Sequence, residues 1–513
     1  MNGAESLLRS LHQAGVEVCF ANPGTSEMQF VDALDRTRLM RCILGLFEGV
    51  VTGAADGYAR MAEKPAVTLL HLAPGLANAG ANLHNARKAR TPMLNLVGDH
   101  ARRHLRYEAP LTADVPATAA VFSDWVRTVH STQSITGDAM DALAAAWGHP
   151  GQIATLIVPA DIGWEEGATI EPPERAKTRA PRDIDSDLLR KAATALGPDT
   201  VILCGGTVLE SPDSIAGLAD LAAATGTSIM GSGPIRRLER GAGRFEIPRI
   251  PYPVDDALAA LRPFRRAVLI EALPPVAFFA YPERPSLLLP EECEVIALAD
   301  FDQDGRTAIE ALVDALGAPP APARTAAPCP PPSAGAMTND ALSAAIAAAL
   351  PEGAIVVDER LTSATNVPAL STGAPPMSWL SLTGGAIGIG IPMATGAAVA
   401  CPDRPVIGLQ ADGSAMYTLQ ALWTQAREEL NVTTIIFANR GYQILKQELF
   451  KVGANPGPDA LNMLELNRPE LDFVSLARGM GVPGRRVTDP AELYKLIRAV
   501  VKEPGPYLIE VVL

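Results

Sequence analysis

The chain has no apolar run long enough to cross a bilayer, because Gly, Pro or a charged residue interrupts every candidate stretch of its 513 residues. Its opening, Met1-Asn-Gly-Ala-Glu, lacks the basic start of a secretory leader, and the next apolar turns alternate with Arg9, His12 and Gln13. There is no basic cluster either. With 43 Lys and Arg against 57 Asp and Glu, the net charge of −14 argues against nucleic acid as a partner. Cysteine is scarce, and its six positions (19, 42, 204, 293, 329 and 401) show no paired spacing. That pattern fits neither a zinc site nor a disulfide framework and suits free thiols in a reducing, cytoplasmic compartment. Histidine is missing from most of the chain: all seven (12, 71, 84, 100, 104, 130 and 149) precede residue 150. Any imidazole chemistry must come from there.

What is present describes a globular chain, 48% hydrophobic and 19% charged, with a length that suggests three domains. Two Pro-rich stretches, 171–181 and 318–333, read as linkers and leave blocks of 1–170, 183–316 and 337–513. In the first block, apolar runs at 16–20, 42–46, 66–71, 93–97 and 153–158 alternate with helical periods at 5–13, 48–61 and 76–90. The second block repeats the alternation with runs at 201–204, 227–230, 267–270 and 295–298. The third has strands at 354–357, 405–409, 432–438 and 507–512. Strands alternating with helices predict doubly wound α/β domains with parallel sheets, which take ligands beyond the carboxyl ends of their strands. Gly205-Gly206 follows the first strand of the middle block, but the full dinucleotide fingerprint is absent, so that block is expected to be structural.

The most informative stretch is Gln410-Ala-Asp-Gly-Ser414 with Asn439-Arg-Gly-Tyr442. An apolar strand ends in Asp412-Gly413, an amphipathic segment follows, and a second apolar strand ends at Asn439. One carboxylate and one carboxamide at adjacent strand ends offer hard oxygen ligands, and Gly413 allows close backbone approach. Together they suit a Mg²⁺ that holds a diphosphate. Read alone, the same residues are also ordinary turns after strands. Three strand ends of the first block are unusual too: Asn22-Pro-Gly-Thr-Ser26, Glu48 and His71-Leu-Ala-Pro-Gly75.

The Asp412/Asn439 unit resembles the thiamine-diphosphate motif, with Ala411 and Ala438 departing from its usual Gly and Asn. Over nearly the whole chain the sequence is similar to the pyruvate decarboxylase and acetolactate synthase superfamily, in the order pyrimidine-binding, middle and diphosphate-binding domain. The pattern closest to it is that of benzoylformate decarboxylase. Asn22-Pro-Gly-Thr25, Glu48 before Ala55-Asp-Gly-Tyr-Ala59, Leu70-His71 before Gly75, and Asp472-Phe through Gly479-Met-Gly-Val482 carry that likeness.

The resemblance implies thiamine diphosphate and Mg²⁺ as cofactors, a 2-oxo acid as substrate and decarboxylation or carboligation as the reaction, with an aldehyde as a further acceptor. It implies Asp412, Asn439 and the carbonyl of Gly441 as metal ligands. Gly385, Ile387, Gly413, Ser414 and Tyr442 would contact the cofactor, Ile387 as the apolar wedge that bends it. Glu48 would hydrogen-bond the pyrimidine ring, and its place between Phe47 and Gly49-Val50-Val51 favours a proton shared with that ring. Thr25 and His71 would serve catalysis. The pyrimidine and diphosphate halves of the site would come from different subunits, making a homodimer the minimum unit and a homotetramer the expected assembly.

Two departures bear on the reaction. Ala280 falls where benzoylformate decarboxylase carries a second active-site His, which leaves His71 alone and tilts the expected chemistry towards carboligation. The segment after the metal loop, Gln443 to Phe450, lacks the aromatic and basic character of acetolactate synthase, the rival reading, whose members are also longer and bind FAD. A non-catalytic homologue with a structural or regulatory role is the third reading, opposed by the retention of Glu48, Ile387, Asp412 and Asn439. Pocket size, and hence the substrate, depends on side chains around Thr25, Leu111, Ile444, Leu445 and Leu449.

Overall fold

The computed structural model describes residues 1–176, 178, 180–322 and 326–513. Its strands form three sheets in three domains, as the alternation predicts. In the first, β1 (Val18–Asn22), β2 (Arg41–Leu44), β3 (Ala66–Leu70), β4 (Met93–Asp99), β5 (Trp125–Thr128) and β6 (Ile153–Pro159) lie in the order β2-β1-β3-β4-β6-β5, all parallel. The middle sheet uses β7 (Thr200–Cys204), β8 (Ser228–Gly231), β10 (Arg266–Ile270) and β11 (Glu294–Ala299), also parallel, in the order β11-β10-β7-β8. Between β8 and β10 in sequence comes β9 (Arg237–Arg240), which leaves the middle sheet and pairs antiparallel with the third.

That third sheet also holds β12 (Ile355–Glu359), β13 (Met377–Ser381), β14 (Val406–Ala411), β15 (Val432–Ala438), β16 (Gly484–Val487) and β17 (Tyr507–Val512). Its order is β16-β17-β15-β14-β12-β13-β9. The middle block thus stitches itself to the third by an edge strand, which the block boundaries read from sequence do not foresee. Of the two linkers, 177, 179 and 323–325 lie outside the described residues. The first linker is more ordered than its Pro content suggests, since Pro173–Ala176 make a 3₁₀ turn.

The central contact between the first and third domains is helix against helix. Helix Glu48–Ala62 is buried along almost its whole length and packs on Gly390–Ala400, both built largely from small residues. The backbones meet closely enough to require glycine. A Cβ on Gly396 would lie 1.8 Å from the Ala54 carbonyl oxygen, and one on Gly57 would lie 2.1 Å from that of Met393. Above this contact Arg60 is fully buried and forks onto Asp56, with Nη2 at 2.6 Å and Nε at 2.8 Å. The same guanidinium donates to the carbonyls of Ser381 and Arg236 and to the Thr383 hydroxyl, while Thr91 donates to Asp56. With every polar group satisfied, a buried ion pair of this kind joins all three domains at one point. Among the described residues no helix is long and apolar enough to cross a membrane.

Candidate active site

Parallel pairing brings the chemistry-bearing strand ends together. Gln410 and Ala411 of β14 stand beside Ile436 and Phe437 of β15, so Asp412 and Asn439 leave adjacent strands at the same edge. Asp412 is buried. Its carboxylate accepts the backbone N–H of Gly413 at 2.7 Å and of Arg440 at 2.6 Å, which locks its direction. Burial pushes its pKa up, against the pull of those N–H donors. Asn439 accepts from the Gly441 N–H at 3.1 Å, and the Gly441 carbonyl accepts from Gln443 N–H at 3.0 Å. Each oxygen retains a lone pair for a metal. Among the described residues there is no group of three or more His, Cys, Asp or Glu side chains able to hold an ion. Asp412, Asn439 and the Gly441 carbonyl offer oxygen donors of the hard kind that Mg²⁺ takes.

The surroundings fit a diphosphate cofactor. The Tyr442 ring packs on Gly413, where a Cβ would be 2.6 Å from its Cε1. Ser414 is buried with its hydroxyl already engaged, accepting from Gln410 and donating to the Ala411 carbonyl at 3.1 Å, so only its backbone is available to a ligand. The glycine loop is held from below by Glu359, whose carboxylate accepts the N–H groups of Gly388 and Gly390 at 2.6 Å each, and whose pKa burial raises. Gly388 has φ +98°, a left-handed conformation that favours glycine and turns Ile387 towards the cavity it lines. Gly385 lies beneath Phe278, with a Cβ position 2.7 Å from the ring's Cζ. The segment leading to Ala280 therefore lies against the glycine loop, and Ala280 itself is exposed.

The first domain supplies the other half. Glu48, 8% exposed, opens its helix and accepts from the Asn78 amide at 3.0 Å. Gly75 leaves the space in front of it open, since a Cβ there would approach Glu48 Oε1 to 3.0 Å. His71 ends β3 and caps the helix Leu72–Lys88, with Nδ1 2.8 Å from Glu27 Oε2 and 3.2 Å from Ser26 Oγ. Glu27 is buried and also accepts from the Gly24 N–H at 2.8 Å and the Ser26 hydroxyl at 2.6 Å. Sequence reasoning misses Glu27 and Ser26. Thr25, the residue expected there, is exposed on the 3₁₀ turn, and its neighbour Ser26 is the one that reaches the imidazole. A carboxylate at Nδ1 favours the tautomer with the proton on that nitrogen.

The hydrogen bonds of Glu48 and His71 stay within the first domain, and those of Asp412 and Asn439 within the third. The first domain instead buttresses the glycine loop. Asn85 donates to the Ala386 carbonyl at 2.7 Å, and His84 bonds the Gly384 carbonyl at 3.1 Å. Ile444 and Leu445 line the cavity with Ile387, whereas Leu111 lies exposed in the first domain.

A doubly wound sheet with oxygen donors and a glycine loop at its strand ends is the setting of a diphosphate-cofactor enzyme. The chain belongs to the thiamine pyrophosphate enzyme family: the N-terminal binding domain matches residues 1–122 and the C-terminal one residues 363–511. A Mycobacterium tuberculosis protein, IlvX, named provisionally as an acetolactate synthase large subunit, is 48% identical over 100% of this chain and 99% of its own length. Benzoylformate decarboxylase of Pseudomonas aeruginosa is 27% identical over 98% of this chain and 97% of its own. The thiamine diphosphate-dependent 4-hydroxybenzoylformate decarboxylase of Rhodococcus jostii shares the fold, with a TM-score of 0.85 and 24% identity over 99% of this chain and 98% of that one.

Proposed function

We propose that the protein catalyses non-oxidative cleavage or formation of a C–C bond next to the carbonyl of a 2-oxo acid, with thiamine diphosphate held through Mg²⁺. The observation that carries this reading is the joint presence of the Asp412/Asn439 pair at adjacent strand ends and the Glu48 and His71–Glu27 groups at the ends of the first sheet. When bound, the cofactor supplies a stabilised carbanion at its thiazolium ring, which these side chains do not provide. Asp412, Asn439 and the Gly441 carbonyl hold the metal. Gly385, Ile387, Gly413, the Ser414 backbone and Tyr442 would line the cofactor, Ile387 as an apolar support.

Glu48 shares a proton with the pyrimidine ring from a buried, Asn78-oriented position. His71 Nε2 carries protons to and from the substrate, with Glu27 holding the imidazole. Thr25 and Ser26 shape the turn beside it. With Ala280 where a second His would stand, His71 would be the imidazole left to return a proton to the substrate carbon, which favours capture of an aldehyde or a second 2-oxo acid over protonation. Carboligation is thus the favoured outcome, and acetolactate synthase activity is the second reading, supported by the 48% identity to IlvX. The two halves face each other across a homodimer, the minimum active unit, within a homotetramer. The deciding experiment is a panel of 2-oxo acids with thiamine diphosphate and Mg²⁺, scored separately for CO₂ and for acyloin. Acyloin formation with acceptor present is expected; release of aldehyde alone would refute the carboligase assignment, and inertness towards the whole panel would refute the enzyme.

A further inference from the structure

Two of the six free cysteines, far apart in their sequence setting, are brought together by the pairing of the first two strands. β1 and β2 run parallel with Cys19 opposite Cys42, inside a register that extends from Val18 and Arg41 to Ala21 and Leu44. Directly opposed residues of neighbouring strands point to the same face and lie about 4.8 Å apart. A disulfide spans roughly 4.4–6.8 Å between Cα atoms, so the pair is within closing distance. The thiols already interact. A hydrogen bond between them, with complete burial, raises the pKa of Cys19, and the same bond lowers that of Cys42.

β2 is the edge strand of its sheet, and Cys42 is exposed on it while Cys19 is buried. The strand is pinned on both sides of Cys42. Arg41 bonds Glu428 at 2.9 Å, and the Thr424 hydroxyl donates to the Leu44 carbonyl at 2.9 Å. From the end of that helix two charges act on the thiol, Glu428 raising its pKa and Arg427 lowering it. The other four cysteines are less reactive: burial pushes Cys204 up to about 12 and raises Cys293, Cys329 and Cys401, none of them exposed. Cys42 alone joins exposure to a lowered pKa, which is the setting of a reactive thiolate. Packing accounts for Cys19, a member of the apolar core, but not for an exposed thiol held against it.

We propose that Cys19 and Cys42 are an oxidation site that peroxide closes into a reversible disulfide, with Cys42 reacting first and Cys19 resolving. The Cys42 thiolate attacks one oxygen of hydrogen peroxide and breaks the O–O bond. Its sulfur becomes a sulfenic acid, and the other oxygen leaves as hydroxide and is protonated to water. The Cys19 sulfur then displaces the sulfenic hydroxyl, which departs with the Cys19 proton as a second water. Two electrons pass from the two thiols to peroxide, and an external dithiol reverses the step by exchange. The bond ties β1, which runs on to Glu27, to β2, which runs on to Glu48. It does not depend on the reaction proposed above.

The test treats reduced holoenzyme with hydrogen peroxide, blocks it with N-ethylmaleimide and digests it with trypsin. Cleavage after Arg9, Arg36, Arg41 and Arg60 puts the two cysteines on separate peptides, 10–36 and 42–60. Mass spectrometry is expected to find these linked, in a chain that still runs as a monomer on a non-reducing gel, with two of the six thiols lost and dithiothreitol restoring both. In Cys19→Ala the resolving thiol is gone, so dimedone should label Cys42; in Cys42→Ala it should leave Cys19 unlabelled. The parent digest needs no variant and decides the matter if either one misfolds. Peptides that stay unlinked, a disulfide between chains, or oxidation of Cys293 or Cys329 ahead of Cys42 overturns the proposal.

Discussion

At the level of single residues, the proposed metal position is the most exacting part of the site. Asp412 is aligned by two backbone N–H groups and Asn439 by one, so neither can be replaced by a neighbour. Asp412→Ala and Asn439→Ala should each weaken Mg²⁺-dependent cofactor retention by more than the roughly 10–100-fold typical of second-shell losses. Bound cofactor, measured after gel filtration, and activity should fall together; Mg²⁺-dependent retention in Asp412→Ala would show the ligand set to be wrong. His71 and Glu27 make a second unit with divided labour. Removing the imidazole in His71→Ala should cost about two to four powers of ten in turnover, with cofactor affinity nearly unchanged. Glu27→Gln keeps the shape but permits the other tautomer, so kcat should fall while cofactor affinity holds. A parental kcat in Glu27→Gln would demote the carboxylate to packing. For Glu48→Gln the readout is hydrogen–deuterium exchange at C2 of the bound cofactor, which should slow sharply. Exchange as fast as in the parent would remove Glu48 from that role.

At the level of elements, position is set by how small residues let helices and strands approach. Helix Gly390–Ala400 carries no strong polar face, and it meets Glu48–Ala62 through Gly396 and Gly57. Gly396→Val would force the helices apart and should cost more than the roughly 1–3 kcal/mol of ordinary overpacking, because the obstructing atom is backbone. A shift of the denaturation midpoint in urea measures it, and an unchanged midpoint would show the contact to be looser than described. The same elements show what a sequence reveals. Strands buried on both faces, such as β4, β6 and β15, announce themselves as apolar runs, and Asp412 and Asn439 are legible because they sit just past two of them. Four strands escape notice: β13 is fully buried, but Ser378 and Ser381 interrupt its apolar residues, and the other three are short or charged. β9 is Arg-Leu-Glu-Arg, β16 is Gly-Arg-Arg-Val and β5 is only half-buried, so none carries an apolar run. Glu27 stays hidden for another reason: its partner His71 is 44 residues away, and only the pairing of β1 with β3 brings them together.

At the level of the whole molecule, the question is which Glu48 faces which Asp412. The buried Arg60–Asp56 pair and the helix contact fix the first domain of a chain against its own third domain, with Asn85 and His84 already bound to that chain's glycine loop. In the proposed dimer a cofactor spanning the pyrimidine and diphosphate positions would draw its two halves from different subunits, and a two-fold axis would make two such sites. Mixing denatured Glu48→Gln with denatured Asp412→Ala and refolding them together tests this, read with a 2-oxo acid that the parent turns over. In a mixed dimer with shared sites, one site receives both defects and the other receives neither. Random pairing makes about half the dimers mixed, so about a quarter of the parental activity should return although each variant alone is inactive. If each site lay within a single chain, every site in the mixture would carry one defect and no activity would return. Complementation near that fraction therefore establishes the shared site, and its absence, with mixed dimers shown to form, places both halves in one subunit.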